Sequence, residues 1–583
     1  MYVRTVKVPS SDGGVNEYVR VVEAYREDGK VKQRVIADLG RKDVLVAMLP
    51  KLRRVLEGTP RLEGEEQQED IQVLDTFTWG PVLVVRHLFE QLGLWELLDR
   101  TLGAGRQVGW ADRALVLIAA RLMHPCSEHA LAGWLESGYF CDRQGRRFVP
   151  HWHQRKRVRV HHQQLEGWYR TLDRLLAAKP EIEVGLYARL RDLFSIKPDL
   201  VMYDITSTYF EGAGPAGLAK HGYSRDGKRR KVQVIVGVVM VAGFPIVHHV
   251  WEGNRLDVAT VQEVIRDLQG RFDFQRVVFV GDRGMVSESN LQLLTDGGHR
   301  YLVGIKRRRN PLAKRWLEGI DEAKWIDCPP GITAQEKQPP PRTRVQEVRS
   351  GQKGVRAFVI DSEERREYEQ RMRSRSMERA REALEKLQKR VEAGKLKEEA
   401  KVGASAQRAM QAHHGGRYYQ WRLEGGRFVF EENTQRLQDE KRLEGKYLIS
   451  TTEEELSALD AVGMYKELTD VERGFRSLKD ILQMRPIYHH VAPRVKAHIF
   501  VAALGLLMMR LVERALKDAH LDLSAAEAIR ALHSVRVVTF HLPGQPPRQG
   551  VSQGSARARQ VLKALGIVDT KPPACSQAPQ TVM

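Results

Sequence analysis

The chain of 583 residues predicts an α/β protein: a mixed five-stranded sheet with flanking helices, interrupted by a β-rich and helical insertion. Three observations carry this. Strand-like and helical runs alternate between residues 198 and 306. A charged stretch of different patterning follows, from 307 to 445. A short strand and an amphipathic helix then return between 446 and 485. A small β-hairpin segment and a mainly helical region precede this core, and a helical region follows it.

Composition narrows the function classes. Hydrophobic residues make up 42% of the chain and charged residues 29%, enough for real cores in a soluble protein. The formal charge is +20 and the sequence pI is about 9.7, which points to a polyanionic partner, most often nucleic acid. The longest strongly apolar run, Ile499 to Met509, is too short to span a bilayer and reads as a buried helix. The N-terminal MYVRTVKV lacks the apolar stretch of a signal peptide. The cysteines Cys126, Cys141, Cys328 and Cys575 lack paired spacing, which suggests a reducing compartment and no zinc site. A cytoplasmic, nucleoid-associated location is the expectation.

Taken in order, residues 1–75 read as a β-rich segment. Runs Glu17 to Tyr25 and Lys30 to Ile36 flank Asp28-Gly29, a hairpin signal. Residues 76–195 read as a helical DNA-binding region, with apolar residues at three and four spacing near Pro81 to Gly93, Trp110 to Met123 and Leu165 to Ala178. The basic, His-rich run His151 to His162 is read either as a DNA-contacting surface or as a solvated loop. In 196–306 the runs Asp199 to Phe210, Lys231 to Val241 and Phe244 to Trp251 are strand-like. Asp257 to Gln269 is helical, Arg276 to Gly281 a strand, Glu288 to Leu294 a helix, and Tyr301 to Ile305 a strand. This βββαβαβ order matches the ribonuclease H-like fold, in which the first and fourth strands are neighbours.

The insertion, 307–445, carries two hairpin candidates, Arg344 to Ile360 and Arg417 to Phe430. Between them lies a charged helix whose Met377, Ala380, Leu384, Leu387 and Val391 form a short coiled-coil-like seam. That seam packs within the insertion or joins two protomers. Lys446 to Thr451 begins the second part of the core, 446–485. A helical region, 486–540, includes a long apolar helix from Arg494 to Lys517. The tail, 541–583, is Pro-, Gln- and Ser-rich and reads as partly disordered.

Three acids carry chemistry. Asp204 interrupts the apolar run VMYDITSTYFEG, and a buried carboxylate there needs a partner. That partner is a divalent cation or the nearby hydroxyls of Thr206, Ser207 or Thr208. Asp282 follows the strand ending at Gly281, where sites on α/β sheets lie, or leads a turn before the next helix. Glu472 lies in YKELTDVERGFRSLK, Tyr465 to Lys479, read as one helix. At about 100° per residue its Val471, Phe475, Leu478 and Leu482 form an apolar strip. Tyr465, Leu468, Glu472, Arg476 and Lys479 lie on a neighbouring strip. Hard oxygen donors suit Mg²⁺ or Mn²⁺, and two ions about 4 Å apart support in-line phosphoryl transfer.

At these residues the chain resembles the DDE transposases of bacterial insertion sequences, in the branch with a Y-x2-R-x3-E-x6-K signature and a β-strand insertion. The signature reads Tyr465, Leu468, Glu472 and Lys479, with leucine in place of arginine. DITSTYFEG, GDRGM, FRSLK and RPIYH extend the resemblance from about 195 to 500. It implies that Asp204, Asp282 and Glu472 are catalytic and hold the two metal ions. It also implies that Tyr465, Lys479, Arg476 and Arg283 contact DNA. Some relatives stack a displaced base on an aromatic residue of the insertion, for which Trp316, Trp325 and Trp421 are candidates. The implied activity is cut-and-paste transposition: binding of terminal inverted repeats, hydrolysis there, and joining of 3′-ends to target DNA by a dimer or larger assembly. The alternatives are a ribonuclease H-like nuclease or resolvase, and a catalytically silent DNA-binding protein.

Overall fold

The computed structural model describes residues 1–9, 15–27, 30–56, 71–103, 109–148, 157–196, 200–272, 274, 278–282, 287–308, 310–329, 341–542 and 545–574. The chain forms two compact units, 1–72 with 541–547, and 73–540 with 548–583.

In the first unit, strands Tyr2–Pro9, Val15–Glu27 and Lys30–Arg41 form an antiparallel sheet, followed by the helix Lys42–Leu56. The hairpin expected around residues 28 and 29 is present in its strands, and the turn residues lie outside the described ones. Opposite charges face each other across the strands, as in Arg34 with Glu23 at 2.7 Å and Arg20 with Asp38 at 2.8 Å.

The second unit is built on a nine-stranded sheet. Its order is Ile326–Asp327, Thr343–Val348, Arg356–Ser362, Lys446–Thr451, Arg300–Ile305, Val278–Gly281, Leu200–Tyr209, Gln233–Val241 and Phe244–Glu252. The last five are the strands expected of the core, in the expected order, with the first and fourth paired in parallel. The sheet is larger than the five strands predicted. Lys446–Thr451 pairs antiparallel with Arg300–Ile305, and the strands of the insertion continue outward from it. The cause is edge pairing: an unpaired strand edge is a template for any antiparallel partner the chain returns to it.

Only part of the insertion stands off the sheet. Helices Glu363–Glu392 and Glu399–Ala412 pack with the hairpin Tyr419–Glu424 and Arg427–Glu432 around a separate small core. Ala380, Leu384 and Leu387 are buried in it, so the seam packs within the insertion.

The helical regions wrap one long helix, Ala492–Asp518. By length and apolarity it could cross a membrane, yet its most apolar window is 94% buried inside the protein. It packs against Trp110–Met123, Arg157–Ala177 and the edge strand Phe244–Glu252. Of the basic run His151 to His162, residues 151–156 lie outside the described residues. The backbone of 157–162 opens the Arg157–Ala177 helix rather than forming a loop. The tail is more ordered than expected. Arg548–Val551 pairs with Arg536–His541, and Ala556–Ala564 is helical. Its amphipathic pattern buries Ala558, Val561 and Leu562. Cys126 and Cys328 are free thiols, whereas Cys141 is disulfide-bonded, which the cysteine spacing did not predict.

Two buried ionic networks tie these helices together, and the first also reaches the sheet. Glu183 meets Lys179 at 2.9 Å, Arg271 at 2.9 Å and His248 of the edge strand at 3.1 Å. Glu128 meets His489 at 3.3 Å and Arg121 at 3.7 Å, and Arg121 lies 3.4 Å from His498 Nδ1. Burial alone would raise both carboxyls. For Glu183 the His248 bond and the Lys179 charge outweigh it, and for Glu128 the His489 bond and the neighbouring cations do, holding each at about 2. Burial, then the Arg121 charge, pushes His498 down to about 3.

All three groups have depressed folded-state values, so the unfolded chain binds more protons in acid. The stability they contribute is complete above the unfolded values of 6.5 for His498 and 4.5 for the carboxylates. It is lost as the pH falls towards 3 and 2 respectively. Thermal unfolding midpoints should therefore decline steadily on acidification through this window. Glu183→Gln, which leaves Lys179 and Arg271 short of a counter-charge, should cost about 3 kcal/mol at neutral pH and flatten the acid limb.

Candidate active site

The site begins with strand register. Leu200–Tyr209 and Val278–Gly281 run parallel, pairing Leu200 with Val278 and Tyr203 with Gly281. One step further on each strand stand Asp204 and Asp282. Adjacent strands lie about 4.8 Å apart, so the pairing brings the two acids to the same end of the sheet. Side chains alternate between faces. Tyr203 points to one face, where its hydroxyl bonds Thr260 Oγ1 at 2.8 Å, which leaves Asp204 on the other. Asp282, just past the strand, is exposed.

The third acid comes from the face that Asp204 occupies. Tyr465 to Lys479 is not one helix, as the sequence suggested. Ala458–Lys466 stops at Glu467, Leu468–Arg476 restarts, and Ser477–Ile481 closes as a π-turn. The second piece packs on the Leu200–Tyr209 strand. Val471, Phe475, Leu478 and Leu482 are buried, as their spacing predicted. Leu468 is buried with them, 8% exposed, and does not belong to the polar strip. Glu472 is exposed beside that buried face. Arg510 of the long helix fixes this piece by donating to the Asp470 carbonyl at 2.7 Å. The close approach of the strands to the helix before it requires a glycine: a Cβ on Gly304 would lie 2.3 Å from the Tyr465 hydroxyl.

Asp204 has one described hydrogen bond, from the backbone N–H of Ile205 at 2.7 Å. Neither Ser207 nor Thr208, considered as partners, bonds it. Ser207 Oγ accepts from the Arg225 N–H at 3.0 Å, and Thr208 Oγ1 is buried without a hydrogen-bond partner. Burial first, and then the charges of Asp282 and Glu472, push the Asp204 carboxyl up to about 7 against the lowering effect of the Ile205 hydrogen bond. The three acids are therefore electrostatic neighbours. Their donor set fits a hard divalent cation, whose charge would let all three ionise together. Their oxygens are not all within 4.8 Å of one another; among the described residues the one cluster that tight is Glu128, His489 and His498. Sequence reasoning missed that second cluster, which is spread over distant segments. The Arg121 guanidinium already lies within it and supplies its positive charge.

The remaining site residues fall as follows. Tyr465 is half-buried and stacks on Tyr447, ring centres 5.8 Å apart. Arg476 is exposed. Lys479 is only 12% exposed and pairs with Asp226 at 2.9 Å. Arg283 lies outside the described residues. Trp316 is a core residue, its indole N–H donating to the Ser350 carbonyl at 2.9 Å. Trp325 lies beneath Arg344, and Trp421 packs on Phe428. Asp226 is the single acid of the basic run HGYSRDGKRRK, His221 to Lys231, whose sequence suits either a DNA-backbone contact or a solvated hairpin, and it carries no local signal of its own.

A family model described as the transposase DDE domain matches residues 197–508, more than half of the chain. The chain belongs to the DDE transposase family. Residues 3–70 match the N-terminal domain of IS1634 family transposases, so this is the transposase of an insertion sequence. As such it is a metal-dependent DNA endonuclease and strand transferase, and DDE domains use divalent metal ions. No curated protein sequence matches the transposase. Among solved structures, a piggyBac transposase synaptic complex with hairpin DNA aligns at 8% identity and TM-score 0.35, covering 80% of this chain and 82% of that one. A Mos1 transposase paired-end complex aligns at 13% identity and TM-score 0.14, covering 44% and 66%. At these scores neither likeness carries an argument for this chain.

The burial of Leu468 gives a test. Restoring the signature arginine by Leu468→Arg puts a cation among Val471, Phe475 and the strand beneath. The variant should lose about 2 to 4 kcal/mol of stability, read by thermal or urea unfolding, and gain no activity.

Proposed function

We propose that this transposase binds the terminal inverted repeats of its element, cleaves the ends by phosphodiester hydrolysis and joins the 3′-hydroxyls to target DNA by cut-and-paste. The observation that carries the reading is the meeting of Asp204, Asp282 and Glu472 at one end of the parallel strand pair. Asp204, Asp282 and Glu472 would hold two Mg²⁺ or Mn²⁺ ions between them. Bound there, the ions would supply Lewis-acid activation of water or a 3′-hydroxyl and stabilise the leaving oxygen.

The chain's own residues do the rest. The buried Asp204 holds its carboxylate in a fixed position through the Ile205 N–H. Asp282 and Glu472 are exposed, which leaves the site open to a DNA backbone. Arg476, exposed one turn beyond Glu472, is proposed to contact a phosphate of the same strand, with Tyr465, Lys479 and Arg283 as further DNA contacts. The excess of basic residues favours the approach of DNA. Pairing of two ends implies a dimer or larger assembly. Work on chromosomal DNA implies a cytoplasmic, nucleoid-associated protein.

Labelled element-end DNA tests this. The wild type with Mg²⁺ should give both cleaved ends and strand-transfer products, and cleavage without joining would instead indicate a nuclease. Asp204→Asn and Glu472→Gln should each reduce cleavage about a thousandfold or more while duplex binding persists. Chelation should stop both steps, and added Mg²⁺ or Mn²⁺ should restore them.

A further inference from the structure

The loop 221–231 contains a carboxylate that faces inward while its cations face out. Asp226 Oδ1 meets Lys479 Nζ at 2.9 Å, and its Oδ2 meets Arg485 Nη1 at 2.7 Å. Arg485 lies over the Tyr209 ring, 5.0 Å from its centre. Tyr209 ends the strand that carries Asp204, and Lys479 lies on the π-turn that follows the Glu472 helix. Two cations from one segment and an aromatic face from the catalytic strand thus converge on a single carboxylate.

That carboxylate is poorly matched to its partners. Oδ2 of Asp226 and Nη1 of Arg485 are close, yet both are buried atoms without a hydrogen bond of acceptable geometry. A charge-assisted bond that is near but misaligned forfeits much of its strength. The loop is tethered on the other side. Arg225 pairs with Asp257 at 2.7 Å, and its N–H donates to Ser207 of the catalytic strand at 3.0 Å. Lys228, Arg229 and Arg230 are exposed, and Tyr223 is 79% exposed.

We propose that Lys479 and Arg485, seated over Tyr209, form a subsite for one DNA backbone phosphate, and that Asp226 occupies it in the DNA-free protein. This rests on the reading of the chain as a DNA-cleaving transposase. A phosphodiester carries the same single negative charge as Asp226, so the exchange conserves charge. Its oxygens can align with both donors, which the tethered carboxylate does not. Release of Asp226 leaves the loop's exposed cations beside the incoming strand. The subsite is built on the segments that carry two of the acids: Tyr209 stands five residues beyond Asp204 on its strand, and Lys479 seven residues beyond Glu472.

The test is binding of the full-length protein to a fluorescent duplex DNA of mixed sequence, without divalent metal, over a range of salt. Asp226→Asn keeps the side chain's shape and removes its charge. It should bind roughly tenfold more tightly at moderate salt, with a log–log salt slope steeper by about one. Unchanged or weaker binding by a folded Asp226→Asn protein would overturn the proposal and leave Asp226 as a structural clamp. Should that variant fold poorly by thermal unfolding, Arg485→Gln decides. It should weaken binding several-fold and make the slope shallower by about one, and an unchanged slope would equally overturn the subsite. Absence of duplex binding by the wild type would instead count against the DNA-processing reading itself.

Discussion

The parallel pairing of Leu200–Tyr209 with Val278–Gly281 is the constraint on which the site depends. Strand side chains alternate, so a slip of one residue would turn Asp204 to the face that Tyr203 occupies, towards Thr260 and away from Glu472. The register is defended from both sides. Gln233–Val241 is buried along its whole length and pairs Val238 opposite Asp204, while Phe279 and Val280 fill the neighbouring strand. Apolar packing thus fixes the position of a charged residue that packing alone would reject.

The third acid depends on a different kind of support. Its helix is short and lies between a break at Glu467 and a π-turn, so it has little stability of its own. Tertiary contacts hold it. Its apolar strip faces the strand of Asp204, Arg510 takes the Asp470 carbonyl, and Met484 caps the following turn by donating to Leu478 at 2.8 Å. The long Ala492–Asp518 helix supplies Arg510 and is itself tied to the helical region through Arg121 and His498. The helices outside the sheet therefore act on the site through the placement of Glu472.

Much of this could be read in the sequence, for a physical reason. The strands of the core are apolar runs with local punctuation, and Asp204 and Asp282 break those runs at places where a carboxylate is costly. The Val471, Phe475, Leu478 and Leu482 spacing gave the buried face. What could not be read was non-local. The strands of the insertion look like a separate hairpin until Lys446–Thr451 offers them an edge. Leu468 sits at helical spacing from the polar strip, but the break at Glu467 separates Tyr465 from it, and tertiary packing buries it. Asp226 pairs with a residue 253 positions away, and no periodicity carries information over that distance.

The same non-locality explains why a basic chain holds its acids where it does. Net charge of +20 would draw DNA to any exposed cation, with or without register. Pairing selected cations with buried carboxylates removes them from that general attraction: Arg271 and Lys179 on Glu183, Arg121 on Glu128, Lys479 and Arg485 on Asp226. The first two carboxylates are deeply buried: Glu183 is held by three ionic contacts of 3.1 Å or less, and Glu128 by looser contacts with His489 at 3.3 Å and Arg121 at 3.7 Å. Asp226 differs in being carried by a surface loop, and its Oδ2 contact with Arg485 is misaligned. Of the three it is the one whose loop carries exposed cations, and its partner Lys479 lies on the turn that follows the Glu472 helix.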